Sequence, residues 1–295
     1  MSFSGKIKDE LEHTYAPARH CMLAEMAAIY DHCRKASEEE DRKIVIASEN
    51  ELTVRKFFTL LGKTFNMYKD YPAQTVSFIK KGSGYRLVID DPGEAEKVRS
   101  AITVTARDLR SCCARAYIRG AFLAAGSVSD PEKSYHLEIV CQEMRQAHFL
   151  AELLSGFEIE AKTVLRKKNY VLYVKEGTKI VETLNVMGAH VALMDFENMR
   201  ILKEMRNSVN RKVNCETANI GKTVNAAQRQ IEDIKILMES DRFNELSPAL
   251  QEMARLRVKH PEATLKELGE FCTPVLGKSG VNHRLRKLSE MAVEE

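Results

Sequence analysis

One arrangement constrains this chain more than any other: the same order of apolar periods runs through it twice. In the first pass, Leu23, Met26, Ala27 and Tyr30 recur at i, i+3, i+4 and i+7 and predict a helix over 20–35. A β-branched run follows at Lys43–Ser48, then helical spacing over 51–66 through Leu52, Phe57, Leu60 and Leu61. Gln74–Lys80 and Tyr85–Ile89 alternate on either side of Lys81-Gly82-Ser83-Gly84, the pattern of a hairpin. Asp90-Asp91-Pro92-Gly93 breaks the chain and opens a short helix to about 103. The second pass starts 92 residues on, from 20 to 112. It offers a helix at Cys112–Ala125, a strand at Ser134–Cys141 and a helix over 143–155. Strands at Phe157–Arg166 and Tyr170–Lys175 then flank the turn Lys167-Lys168-Asn169, and a helix covers Thr178–Met187. Two copies of one α+β unit, each laying helices on an antiparallel sheet, account for this order.

From about Asp195 the strand signals stop. Met199, Leu202, Met205, Val209 and Val213 form one helical stripe over 196–213. Ile220, Val224, Ala227, Ile231, Ile234 and Met238 form a second over 219–238. Six asparagines, at 198, 207, 210, 214, 219 and 225, lie among them and are expected to cap and connect helices. The whole chain of 295 residues has a net charge of only +3, too weak to argue for a nucleic-acid partner. Residues 201–230 hold six basic and two acidic side chains, a local excess of +4. Arg206, Arg211, Lys212, Lys222 and Arg229 are therefore candidate contacts to a DNA backbone.

The last 49 residues read as three helices. Ser247-Pro248 is an N-cap followed by proline at the first helical position, and Leu250, Met253 and Leu256 point inward. Thr264-x-x-Glu267 is a capping box opening a short helix with Leu265, Leu268 and Phe271 inward, and Gly269 allows a neighbour to approach closely. From Ser279 a third helix buries Val281, Leu285 and Leu288. Its other face, with the residue before it, carries Lys278, Asn282, His283, Arg284, Arg286 and Lys287. Two short helices, a turn and a basic, amide-bearing helix are the pattern of a helix-turn-helix. Arginine pairs with guanine and asparagine with adenine in the major groove. Asn282, His283, Arg284 and Arg286 are thus candidate base readers, and Lys278, Ser279 and Lys287 candidate phosphate contacts. The stretch Cys272–Lys278 is longer than the simplest such turn.

Thr264-Leu-Lys-Glu-Leu-Gly269 with Gly277-Lys-Ser-Gly-Val-Asn-His-Arg-Leu-Arg-Lys287 resembles the C-terminal motif of the WhiA family, bacterial regulators of sporulation and cell division. Asn210-Arg-Lys-Val-Asn-Cys-Glu-Thr-Ala-Asn219 with Lys222-Thr-Val224 resembles that family's central segment. Tyr117-Ile-Arg-Gly-Ala-Phe-Leu-Ala-Ala-Gly-Ser127 resembles its N-terminal domain. The resemblance implies an α+β protein: a duplicated LAGLIDADG-type unit forming a saddle-shaped antiparallel sheet domain, then an all-α helix-turn-helix domain. The corresponding divisions are a first repeat at 1–104, a second at 105–194, a helical connector at 195–245 and the helix-turn-helix at 246–295. It also implies transcriptional control in cell division, chromosome segregation or sporulation.

LAGLIDADG nucleases hold divalent metal between one acid from each copy. Laid on Ile118–Gly126, that motif puts Ala125 at the acid position; in Leu23–Asp31 it puts Tyr30 there, with Asp31 one step on. No catalytic residue, metal or cofactor is therefore expected. Gly120 and Gly126, with Ala121, Ala124 and Ala125, instead suit close packing against Ala24, Ala27 and Ala28. The strands carry Lys80, Lys81, Arg86, Arg166, Lys167, Lys168 and Lys175 beside Asp90, Glu138 and Glu158, which leaves DNA contact by this domain open against a protein-binding role. Gly221-Lys222-Thr223 lacks the first glycine of a P-loop, with Glu216 in its place. Seven cysteines, an odd number without Cys-x-x-Cys, predict reduced thiols, and His136 and His148 lack zinc-finger spacing. With no apolar run of membrane length and no secretory segment, the expected place is the bacterial cytoplasm, at the nucleoid. The expected partner of this sequence-specific regulator is double-stranded DNA, alongside another transcription factor or a division or segregation protein, with the chain a monomer. The alternative is a nonspecific nucleoid-associated or partner-docking protein that uses the N-terminal domain as its platform.

Overall fold

The computed structural model describes residues 1–33, 43–67, 76–81, 84–103 and 109–293. Gly82 and Ser83 of the first hairpin turn, Gln74 and Thr75 of its first strand, and the 104/105 boundary lie outside the described residues. The chain divides into two compact units, Met1–Glu204 and Met205–Glu295.

The first unit opens with a helix the apolar pattern did not announce, α1 (Phe3–His13), capped by the Ser2 hydroxyl, which accepts from the Gly5 N–H at 3.1 Å. The first repeat follows as α2 (Arg19–Cys33), β1 (Ile44–Ser48), α3 (Glu51–Phe65), β2 (Val76–Lys81), β3 (Gly84–Ile89) and α4 (Pro92–Ile102). The Asn50 side chain caps α3 and Asp91 caps α4, with Pro92 in the first turn where its missing N–H costs nothing. The second repeat is α5 (Ser111–Ala125), β4 (Gly126–Val128), β5 (Leu137–Cys141), α6 (Met144–Ser155), β6 (Lys162–Arg166), β7 (Asn169–Val174) and α7 (Gly177–Met187). The strand expected from Phe157 begins only at Lys162. Phe157 and Glu158 instead close α6 with backbone bonds to Leu154 and Ser155, Glu158 taking a left-handed φ of 60°.

Among the described residues all strand pairs are antiparallel, in two sheets ordered β1-β3-β2 and β4-β5-β7-β6. Without β4 the two orders are the same, as a duplication requires. Alternation places Ile46 opposite Leu87 and Ile139 opposite Leu172, all buried in one core that draws on both repeats. At its centre α2 packs along α5. A Cβ on Gly120 would lie 2.5 Å from the Glu25 carbonyl oxygen and 3.0 Å from the Ala28 Cβ, so only glycine lets the helices come this close. Gly126 plays no such part: the atoms nearest a Cβ there belong to Phe122 of the helix it follows. This apolar contact also encloses Glu25, Lys56 and Arg119, all buried. The Lys56 ammonium donates to the carbonyls of Leu11, Glu12 and Thr14 and lies 3.4 Å from Glu25 Oε1.

A single helix, α8 (His190–Glu239), replaces the two expected over 196–238. The Glu10 carboxylate caps its start, accepting from the N–H groups of Val191 and Ala192 at 2.8 and 2.9 Å. The asparagines do not end it, because each costs at most about 0.7 kcal/mol relative to alanine and no proline falls between 131 and 248. The second unit continues as α9 (Arg242–Glu245), α10 (Pro248–Lys259), α11 (Leu265–Glu270) and α12 (Lys278–Val293). Its core joins Ile234 and Leu237 of α8 to Phe243, Leu250, Met253, Leu268, Cys272, Val281, Leu285 and Leu288. Phe271, expected inward, is exposed and stacks on His260 at 4.6 Å, while Cys272 takes the buried place. Among the described residues, no helix is long and apolar enough to cross a membrane.

Candidate nucleic-acid interface

The C-terminal helices are positioned by local chemistry. Pro248 starts α10, although the Ser247 side chain makes no capping bond. The capping box on α11 forms in both directions: the Thr264 N–H donates to Glu267 Oε2 at 2.7 Å, and the Glu267 N–H to the Thr264 hydroxyl at 3.3 Å. These bonds hold the Glu267 carboxyl below the usual range. The seven residues between Glu270 and Lys278 fold back on α11. The Leu276 N–H donates to the Gly269 carbonyl at 3.0 Å, and a Cβ on Gly269 would lie 2.1 Å from the Leu276 oxygen. The approach expected of Gly269 is thus made by the turn that launches α12.

On α12, Val281, Leu285 and Leu288 are fully buried. Lys278, Ser279, Asn282, His283, Arg286 and Lys287 are exposed. Ser279, His283 and Arg286 follow at steps of four and three residues, so they share the face opposite the buried stripe. Arg286 Nε donates to Glu290 Oε1 at 2.7 Å, an exposed pair one turn apart. Arg284 differs from its neighbours. It is half-buried, and its Nη1 reaches back to α10, donating to the Ala249 carbonyl at 3.4 Å and lying 3.8 Å from Glu252. Glu252 also accepts from the Thr273 N–H at 3.2 Å and so ties α10 both to the turn and to α12. No spacing in the sequence relates 252 to 284, and the role of Glu252 was not readable there.

Arg206, Arg211, Lys212, Lys222 and Arg229 are exposed along α8. Steps of eleven and seven residues, close to whole turns, put Arg211, Lys222 and Arg229 on one face. Lys222 comes together with Asn282: both line a cavity of 220 Å³ with Gln230 and Arg257. Arg257 is buried there, with Nη1 donating to the Ala263 carbonyl at 2.6 Å. Burial pushes its guanidinium below the ordinary value. In the first unit, Ala125 is the last residue of α5, and Asp31 accepts from the Tyr117 hydroxyl at 2.9 Å.

Comparison with known proteins agrees with this layout. Residues 114–206 match the WhiA LAGLIDADG-like domain, and 209–292 match the WhiA C-terminal HTH domain. A probable cell division protein WhiA of Lachnoclostridium phytofermentans is 47% identical over 308 residues, covering 99% of this chain and 98% of that one. Its counterpart in Alkaliphilus metalliredigens is 44% identical over 312 residues, covering 100% and 98%. The crystal structure of full-length DUF199/WhiA from Thermatoga maritima has the same fold, with a TM-score of 0.63 and 24% identity over 99% of this chain and 98% of that one. A LAGLIDADG-like unit followed by a helix-turn-helix, matched end to end at this level of identity, makes this chain a member of the WhiA family.

Proposed function

We propose that this chain is a sequence-specific DNA-binding transcriptional regulator that acts in bacterial cell division, chromosome segregation or sporulation and does not cleave DNA. The observation that carries this reading is the exposed basic and amide-bearing face of α12, on a helix whose other face is held in the core. Asn282, His283 and Arg286 reach base edges, and Lys278, Ser279 and Lys287 contact phosphates. Arg284 sets the pitch of the helix through Ala249 and Glu252. The exposed cations of α8, Arg206, Arg211, Lys212, Lys222 and Arg229, add backbone attraction, and double-stranded DNA at the nucleoid is the partner.

Absence of cleavage follows from residue chemistry. Alanine at 125 offers no ligand for a metal, and the Asp31 carboxylate is engaged by Tyr117. Metal-dependent nicking of duplex DNA that Asp31→Ala abolishes would refute this part.

The test is recovery of genomic fragments on the purified chain at near-physiological salt, followed by sequencing. A shared motif that is lost in the Asn282→Ala, Arg286→Ala double variant is the expected result. Broad recovery without a motif overturns it in favour of a nonspecific or partner-docking protein.

A further inference from the structure

Among the described residues, one group of metal-ligating side chains has its donor atoms gathered at a point, and no part of the DNA-binding reading uses it. His20 and Cys21 lie in the first turn of α2, and Cys112 and Cys113 lie in the first turn of α5. Cys21, Ala24, Cys113 and Ala116 form one small cluster in which Cys21 and Cys113 lie together, while Glu25 meets Arg119 and Ala28 meets Gly120 further along. The pairs climb together, so the helices run parallel and their first turns sit side by side. All four donor atoms lie within 4.8 Å of one another. His20 Nδ1 is 3.1 Å from Cys113 Sγ and 3.3 Å from Cys21 Sγ.

We propose that His20, Cys21, Cys112 and Cys113 bind one zinc ion that joins the first turns of α2 and α5. Three thiolates and an imidazole are a common zinc donor set. Bond lengths of about 2.3 Å to sulfur and 2.0–2.1 Å to nitrogen put tetrahedral ligand atoms roughly 3.5–3.8 Å apart. The spacings here bracket that range, so closing the shell takes small rotations of four side chains. Binding releases the protons of the ionising thiols, and no electron changes hands. Three thiolates and Zn²⁺ leave one net negative charge, which the N-terminal ends of two helices favour. Cys21 and Cys113 are buried while His20 and Cys112 are exposed, so the site has a floor fixed in the core and an open side for the ion to enter. A zinc-finger search of the sequence misses the set because the ligands come as two dipeptides with 90 residues between Cys21 and Cys112.

The experiment measures metal in the full chain, purified without a polyhistidine tag and under reducing conditions. One zinc per chain by elemental mass spectrometry is expected. Cobalt exchanged into the protein is expected to show thiolate-to-metal charge transfer and the visible bands of a tetrahedral ion. His20→Ala and Cys112→Ser alter exposed side chains, so their folding is retained by circular dichroism while the cobalt bands weaken or vanish. Cys215→Ser, on the exposed face of α8, leaves them unchanged. Wild-type protein without stoichiometric zinc and without cobalt bands overturns the proposal. So does metal content that survives the His20→Ala, Cys112→Ser double variant, or an intact mass lighter by two hydrogens that marks a disulfide in place of the metal.

Discussion

Arg119 of α5 holds both carboxylate oxygens of Glu25 on α2, with Nε at 3.0 Å from one and Nη2 at 2.8 Å from the other. The fork geometry matches the carboxylate in two parallel bonds. Lys56 stands on the same carboxylate from α3. The remaining guanidinium nitrogen donates to the Met187 carbonyl at 3.2 Å, so one buried acid organises three helices and the end of a fourth.

Removing that acid leaves two cations without their partner inside the protein. Glu25→Gln is expected to destabilise the first unit by about 3–5 kcal/mol. Urea unfolding followed by circular dichroism measures it, and a loss under 1 kcal/mol would mean that the cluster is solvated.

Burial lowers the Lys56 ammonium from its ordinary 10.5 to about 8, against the opposing pull of Glu25. Between those values the unfolded chain keeps a proton that the folded chain has released. Stability from this group is therefore complete above about 10.5, and is lost as pH falls through about 8. Within the window it rises by up to about 1.4 kcal/mol per pH unit. Lys56→Met has no such titration. Wild-type stability is expected to gain on that variant as pH rises across the window, and a constant gap in unfolding free energy would contradict it.

Gly120 and Gly221 give opposite expectations for one substitution. Gly120→Ala forces a methyl group against the Glu25 carbonyl and is expected to cost about 1–3 kcal/mol. Gly221 lies within α8 with nothing within 4 Å of a Cβ, so Gly221→Ala is expected to gain up to about 1 kcal/mol through helix propensity. Thermal unfolding of the two variants in parallel distinguishes them.

Arg284 and Arg286 are separable in the same way. Arg286→Ala is expected to weaken binding to the recovered DNA site by about 1–3 kcal/mol and to leave the melting temperature nearly unchanged, since an exposed pair one turn apart contributes only about 0.3–0.5 kcal/mol. Arg284→Ala is expected to lower the melting temperature of the second unit, because it removes a bond to α10 worth about 1 kcal/mol. Equal melting temperatures for the two variants would refute the division of roles.

The shared face of Arg211, Lys222 and Arg229 leads to a salt measurement. Each phosphate contact removed lowers the slope of log affinity against log salt by about 0.9. Arg211→Ala with Lys222→Ala is expected to reduce the slope by about 2 while the recovered motif stays the same. An unchanged slope would remove α8 from the interface.

What could be read in advance was whatever rests on periodicity and on short-range capping. Val281, Leu285 and Leu288 are buried as their spacing requires, Thr264 and Glu267 close the box they spell, and the strand orders repeat. Long-range polar pairing was hidden, because no local pattern joins Glu25 to Arg119, Glu252 to Arg284, or His20-Cys21 to Cys112-Cys113. Asparagine does not stop a long helix here: its low helix propensity is a small term, and α8 runs through six of them. Phe271 went astray because one short turn of helix has too few residues to fix its phase.

The Glu25–Arg119 contact also decides which halves meet. A duplicated unit can in principle associate with its own kind from another molecule. Two α5 helices brought together would enclose two guanidinium groups with no acid between them, at the cost of burying two unpaired charges. The two repeats are therefore unlike where they touch: the α5 face is complementary to an α2 face and not to a second α5 face.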